Sequence, residues 1–285
     1  MQINDSFPKL FILMNLKKLL FSAVTAIVSS VAMAQNPLVL SLYGNSKPPY
    51  DNGDKATVTV YPAPESKATG RAILILPGGA YEVLASGHEG KEWAPFFNKL
   101  GITVAVLEYR MPKGDCRVPI ADAEHAMKLL RGNAKKWHIN RNDVGIMGSS
   151  AGGHLASTVA TKSKGDAAPN FQILFYPVIT MDPAFTHIQS HDNFLGKKAS
   201  RKKEAEYSSD LQVNRTTPRA WIALSDNDDL VLPANGVNYY IELYRHDVPA
   251  ALHVYPTGGH GWGCTQGFDF HNEMQMELRG WLESF

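Results

Sequence analysis

Cysteine is scarce: Cys116 and Cys264 are the only two in a chain of 285 residues. Two are too few for a disulfide-built scaffold, so the fold must rest on an ordinary apolar core. Both fall in loops expected at the same end of a sheet, which leaves one bridge or two separate thiols open. No group of His, Cys, Asp and Glu has metal-ligand spacing, so neither a metal nor another cofactor is expected. An excess of either charge is also lacking, with 28 Lys and Arg against 27 Asp and Glu. Nothing therefore steers the chain toward nucleic acid or an anionic membrane surface. The one basic run, Lys197-Lys198 with Arg201-Lys202-Lys203, reads as a solvated face. Internal repeats and low-complexity linkers are missing, which leaves a single domain.

The leading apolar run, Leu19 to Met33, is broken by Ser22, Thr25, Ser29 and Ser30 and is too short to span a bilayer comfortably. A basic stretch, Met14-Asn15-Leu16-Lys17-Lys18, precedes it, and Ala32-Met33-Ala34 follows with small residues ahead of Gln35. Residues 1–34 thus read as a secretory signal peptide, with Met14 as a candidate true start. The expectation is an exported protein, periplasmic or extracellular, with no stable membrane insertion after cleavage. Lys9, Lys17, Lys18 and Asp5 leave with the leader, so 25 basic residues face 26 acidic ones. Residues 35–285, about 250 in number, suit one α/β domain with a full-sized core. Oligomeric state is not legible.

The domain opens with strand-like pieces at Leu38–Tyr43, Ala56–Tyr61 and Arg71–Leu76. Strands and helices then alternate: helix Lys91–Leu100, strand "GITVAVLEYR", helix Pro119–Trp137, strand Val144–Met147, helix Ala151–Lys162 and strand "FQILFYPVI". After a polar stretch come strand "RAWIALS", helix Ala234–Arg245, strand "AALHVYP" and a closing helix Phe270–Phe285. This order predicts a mostly parallel, doubly wound α/β sheet with helices on both faces. Thr180–Pro218 breaks the alternation and reads as a short, partly helical cap over the carboxyl ends of the strands, where ligands collect in such sheets.

Three loops carry chemistry. Gly148-Ser149-Ser150-Ala151-Gly152 fits G-x-S-x-G, in which a serine sits on a strained strand-to-helix turn and small neighbours let the backbone pass close to itself. Ser150 is the candidate nucleophile. "LPGGAY", after the third strand, offers backbone N–H groups to an oxyanion: Gly79 and Ala80 are the candidates, joined by Ala151 after the serine. "YPTGGHGWG", after the last strand, presents His260 as candidate base between glycines. His253 reads as a packing residue, and His154, on the helix after the elbow, as a helix-packing or pocket-wall residue. The acid should leave "RAWIALS", and "DNDDLVLP" supplies Asp226, Asp228 and Asp229. Asp228 has the better spacing to Val231 and Asn235, Asp229 is the runner-up, and Asp226 reads as a turn residue.

With these residues assembled, the chain resembles the serine esterases of the α/β-hydrolase fold, within them the exported BD-FAE-like group of acetylxylan and other carbohydrate acetylesterases. The resemblance rests on "PGGAY", "YRMP", "GSSAGGHLAS", "FYPVITM", "SDNDDLVLPAN" and "GGHGWG". It implies Ser150, His260 and an aspartate, best aligned on Asp228, as the catalytic set. It implies an acetylated carbohydrate, acetylated xylan foremost, as substrate. Ala80 replaces the family's usual third glycine, which costs little because only its N–H is needed. Leu232 replaces a usual proline, which keeps Asp228 against Asp229 open. Tyr81, His88, Glu89 and Trp262 lie beside the oxyanion and histidine loops; they either line a sugar-binding mouth or pack and cap. A prolyl-oligopeptidase-like peptidase shares the elbow but usually carries a large gating domain. A xylan-cleaving glycoside hydrolase needs two carboxylates flanking a bond, for which no pair has supporting context. A non-catalytic binding module predicts a missing triad member, and candidates for all three are present.

Overall fold

Each of the eight runs expected in a sheet forms a strand: β1 (Leu38–Ser41), β2 (Thr57–Tyr61), β3 (Ala72–Leu76), β4 (Thr103–Glu108), β5 (Val144–Ser149), β6 (Phe171–Phe175), β7 (Arg219–Ser225) and β8 (Ala250–Tyr255). The structure, a computed structural model, describes residues 36–285. The signal-peptide reading of residues 1–34 lies outside the described residues. The strands make one sheet in the order β1-β2-β4-β3-β5-β6-β7-β8, in which β2 pairs antiparallel with both β1 and β4 and every other pairing is parallel.

The helices are α1 (Ala94–Lys99), α2 (Arg117–Gly132), α3 (Ser150–Lys162), α4 (Ile188–Leu195), α5 (Arg201–Glu206), α6 (Ala234–Arg245) and α7 (His271–Leu282). All five residues of β3 are buried, and their side chains divide by period two between two cores. Leu74 and Leu76 join Met127 and Leu130 of α2, Leu155 and Val159 of α3 and Leu243 of α6. Ile73 and Ile75 join Phe97 of α1 and Met274 and Leu278 of α7 on the opposite face. A parallel sheet covered on both sides explains why β3 reads as an unbroken apolar run.

Register aligns the carboxyl ends: Leu76 pairs Gly148, Ser149 pairs Phe175, and Ser225 pairs Tyr255. The loops after β3, β5, β6, β7 and β8 therefore leave the sheet at one end. Strand order also reverses around β3, whose neighbours are β4 and β5, and that opens a crevice between the first two of those loops. Just past β4, Arg110 forms a fully buried pair with Asp122 of α2, Nη2 2.6 Å from Oδ1, and the Tyr43 hydroxyl adds a 2.7 Å donation to the same oxygen.

Several boundaries differ from expectation. Lys91–Trp93 is a 3-10 turn and only Ala94 onward is α-helical. α2 spans Arg117–Gly132 rather than Pro119–Trp137, because the Asn133 side-chain amide turns back to donate to the Leu129 carbonyl at 2.9 Å. β6 stops at Phe175, since Tyr176 takes a positive φ of 33° and Pro177 follows. The 180–218 stretch holds α4, α5 and a 3-10 turn at Ser209–Gln212. The two cysteines are free: both lie in loops at the carboxyl end of the sheet, after β4 and β8, but Cys116 packs into the core of one face and Cys264 against the core of the other. Among the described residues, no helix is long and apolar enough to cross a membrane, and no three potential ligating side chains group as for a metal.

Candidate active site

The turn from β5 into α3 places Ser150 at φ 52°, a left-handed conformation that costs a non-glycine residue about 1–3 kcal/mol. Its neighbours are small by necessity. A Cβ on Gly148 would meet the Gly152 carbonyl oxygen at 2.1 Å, and one on Gly152 would meet that of Leu76 at 2.1 Å. The strain presents Oγ at the crevice, 2.8 Å from His260 Nε2. His260 Nδ1 lies 2.7 Å from Asp228 Oδ2. The other carboxylate oxygen accepts the backbone N–H groups of Leu230 at 3.1 Å and Val231 at 2.9 Å. A carboxylate only accepts, so Nδ1 of His260 donates and Nε2 is left to accept the Ser150 proton. Asp228 is 3% exposed, whereas Asp226 and Asp229 are exposed to solvent. The three aspartates are thus separated by burial, and only Asp228 touches the imidazole. Asn227 Oδ1 accepts the Gly259 N–H at 2.9 Å and holds the loop that carries His260.

The loop after β3 lies against the serine: a Cβ on Gly78 would come within 2.9 Å of the Ser150 Cβ. Its carbonyls are all engaged. That of Gly78 accepts from Ala85 N at 3.0 Å, that of Gly79 from Glu82 N at 3.0 Å and Val83 N at 3.1 Å, and that of Ala80 from Asn193 Nδ2 at 2.9 Å. In a trans peptide the N–H opposes the preceding C=O. The Gly79 and Ala80 N–H groups therefore point away from those partners, and they donate to no intrachain acceptor among the described residues. The Ala151 N–H, in the first turn of α3, is likewise without one. These three donors and the Ser150–His260–Asp228 chain together can bind a developing oxyanion beside an activated hydroxyl.

The mouth-lining expectation is corrected for three residues. Tyr81 is 2% exposed, donates its O–H to His154 Nδ1 at 2.8 Å and stacks on Phe194. Glu89 is 3% exposed, with Oε2 accepting the Gly78 N–H at 2.8 Å and Oε1 accepting the Tyr176 O–H at 2.9 Å. Trp262 donates to Ser225 Oγ at 2.9 Å and stacks on Phe268 at 4.0 Å. Their polar atoms are spent inside the protein, so they support the loops and do not face a ligand. His88 stays half-buried against the histidine loop, its carbonyl accepting from Cys264 N at 3.0 Å. His154 packs, as read: burial pulls its imidazole down to about 4, so it is neutral, accepting from Tyr81 and donating Nε2–H to the Tyr207 carbonyl at 2.7 Å.

Sequence reasoning missed His187, Tyr176 and Asn193. His187, at the start of α4, is half-buried, and burial followed by the neighbouring His260 lowers its pKa. Tyr176 stands edge-on to the His260 ring at 4.8 Å between centroids. "FYP" was the available signal for the tyrosine; the other two sit in the cap, where pattern says little.

Residues 78–263 match the family model of the α/β-hydrolase fold. The chain is 42% identical to an acetylxylan esterase of Xylanibacter ruminicola over 239 residues, 82% of this chain and 49% of that protein. It is 30% identical to endo-1,4-beta-xylanase B of Butyrivibrio fibrisolvens, over 66% of this chain and 32% of that one. The chain thus spans half or less of the length of these curated relatives. Among solved structures, an acetyl ester-xyloside bifunctional hydrolase from Caldicellulosiruptor lactoaceticus superposes with a TM-score of 0.80 at 30% identity, covering 87% of this chain and 96% of that one.

Proposed function

Since the chain belongs to the α/β-hydrolase-fold family, we propose that it is a serine esterase that removes acetyl groups from plant polysaccharide or oligosaccharide, acetylated xylan first. Residues 35–285 are its catalytic domain. One observation carries the reading: the unbroken chain from Ser150 Oγ through His260 to buried Asp228, at 2.8 and 2.7 Å. The names of two relatives, an acetylxylan esterase and an acetyl ester-xyloside hydrolase, support the acetyl and xylan parts.

Ser150 Oγ bonds to the acetyl carbonyl carbon as its proton passes to His260 Nε2, and the carbonyl oxygen becomes an oxyanion. The N–H groups of Gly79, Ala80 and Ala151 receive that charge, with the amino end of α3 adding its dipole. Collapse breaks the bond to the sugar oxygen, which takes the proton from His260. Water then gives a proton to His260 and attacks the acyl carbon; acetate leaves and Ser150 regains its hydrogen. Asp228 holds the imidazole in the tautomer that both halves need.

The test is a release panel: acetate from acetylated xylan, pectin and glucomannan oligosaccharides, ferulate from feruloyl esters, reducing sugar from deacetylated xylan, and p-nitrophenol from p-nitrophenyl acetate. Acetate from xylan is expected, and Ser150→Ala should lower every ester rate by on the order of 10^4-fold or more. Cleavage of the aryl ester alone would remove the carbohydrate part. Reducing-sugar release with no acetate would replace the esterase by a glycoside hydrolase.

A further inference from the structure

A buried carboxylate with no cation is costly unless hydrogen bonds satisfy it. Glu89 has no ion pair among the described residues, yet it is 3% exposed and lies beside the oxyanion loop. A negative charge there opposes an oxyanion, so electrostatics do not account for it. Its partners do. Both are donors, the Gly78 N–H at 2.8 Å and the Tyr176 O–H at 2.9 Å. Glutamine would turn an NH2 toward one of them; only a carboxylate accepts from both.

The connection continues. The Tyr176 oxygen accepts the Gly263 N–H at 2.7 Å. Tyr176 is 1% exposed, and burial first, then Glu89, raises its phenol well above the usual value, so it stays protonated and keeps donating. Its ring backs His260, and its backbone holds a φ of 33° that a bulky residue rarely adopts.

We propose, resting on the esterase reading above, that Glu89 and Tyr176 are positioning residues. They form a hydrogen-bonded tie from Gly78 to Gly263 that fixes the loop of oxyanion donors against the loop that carries His260. The two loops follow different strands, β3 and β8, which are not neighbours in the sheet. Sheet pairing therefore does not hold them together; the tie does so at their inner ends, beside the one backbone bond from Cys264 N to the His88 carbonyl. Donors and base must be in place before charge develops, so the tie acts on the transition state more than on substrate binding.

The experiment compares Glu89→Gln, Tyr176→Phe, the double variant and Ser150→Ala with p-nitrophenyl acetate, together with thermal unfolding of each. Either single variant should lower kcat about 10- to 100-fold with KM changed less than about threefold, and the double variant should cost no more than the worse single one. Independent, multiplying losses, or a kcat equal to the parent in a folded Glu89→Gln protein, would overturn the tie while an inactive Ser150→Ala leaves the esterase reading intact. If Tyr176→Phe fails to fold, Glu89→Gln against the parent decides. An active Ser150→Ala would overturn both.

Discussion

Two backbone N–H groups single out one aspartate among three. Asp226, Asp228 and Asp229 share chemistry and lie within four positions, so pattern alone left two of them open. What distinguishes Asp228 is the turn that follows β7: it brings the amides of Leu230 and Val231 onto one carboxylate oxygen and leaves the other for His260. Ser150 and His260 were legible because their neighbours must be small, and glycine is visible in a sequence. Glu89 and Trp262 were read into the mouth because nearness along the chain says nothing of whether a polar atom is already engaged. Asp228→Asn is expected to lower kcat by about 10^3- to 10^4-fold, through the wrong imidazole tautomer, and Asp229→Asn by less than about twofold; steady-state kinetics on p-nitrophenyl acetate separates the two.

At the level of elements, the sheet was readable strand by strand, and the cap only as a partly helical stretch. Strands buried on both faces announce themselves as apolar runs, and the alternation with amphipathic helices sets their order. α4 and α5 have no such constraint, since one side faces solvent and the other packs on loops. Yet α4 does more than cover the crevice. Asn193 donates to the Ala80 carbonyl at 2.9 Å, its own carbonyl accepts from Gly114 N at 2.8 Å, and Gln189 reaches Glu82. The cap helix thus orients a peptide in the oxyanion loop. Asn193→Ala removes one such hydrogen bond, and kcat should fall about tenfold with KM for a small aryl ester little changed. An equal fall in both constants, or none, would show that the loop keeps its shape without the helix.

On the scale of the whole molecule, His154 joins three regions: α3, which carries it, the oxyanion loop through Tyr81, and the end of the cap through the Tyr207 carbonyl. It is fully buried, and its folded-state pKa is pulled from 6.5 to about 4, with burial as the largest cause. The unfolded chain therefore takes up a proton first as pH falls. Its contribution is complete above about 6.5 and is lost progressively toward about 4, up to ~3 kcal/mol. Urea unfolding at steps across that window should show stability falling with acid, and His154→Gln should flatten the slope.

The separation of Cys116 and Cys264 onto opposite faces has a practical consequence. Neither thiol has a mate within reach, and burial pushes that of Cys264 up to about 12, so little thiolate forms at neutral pH. Maturation of this polypeptide needs no oxidant and no isomerase to shuffle crosslinks. The same native state is open to it in a glutathione-rich cell interior and in air, a freedom that disulfide-built proteins do not have.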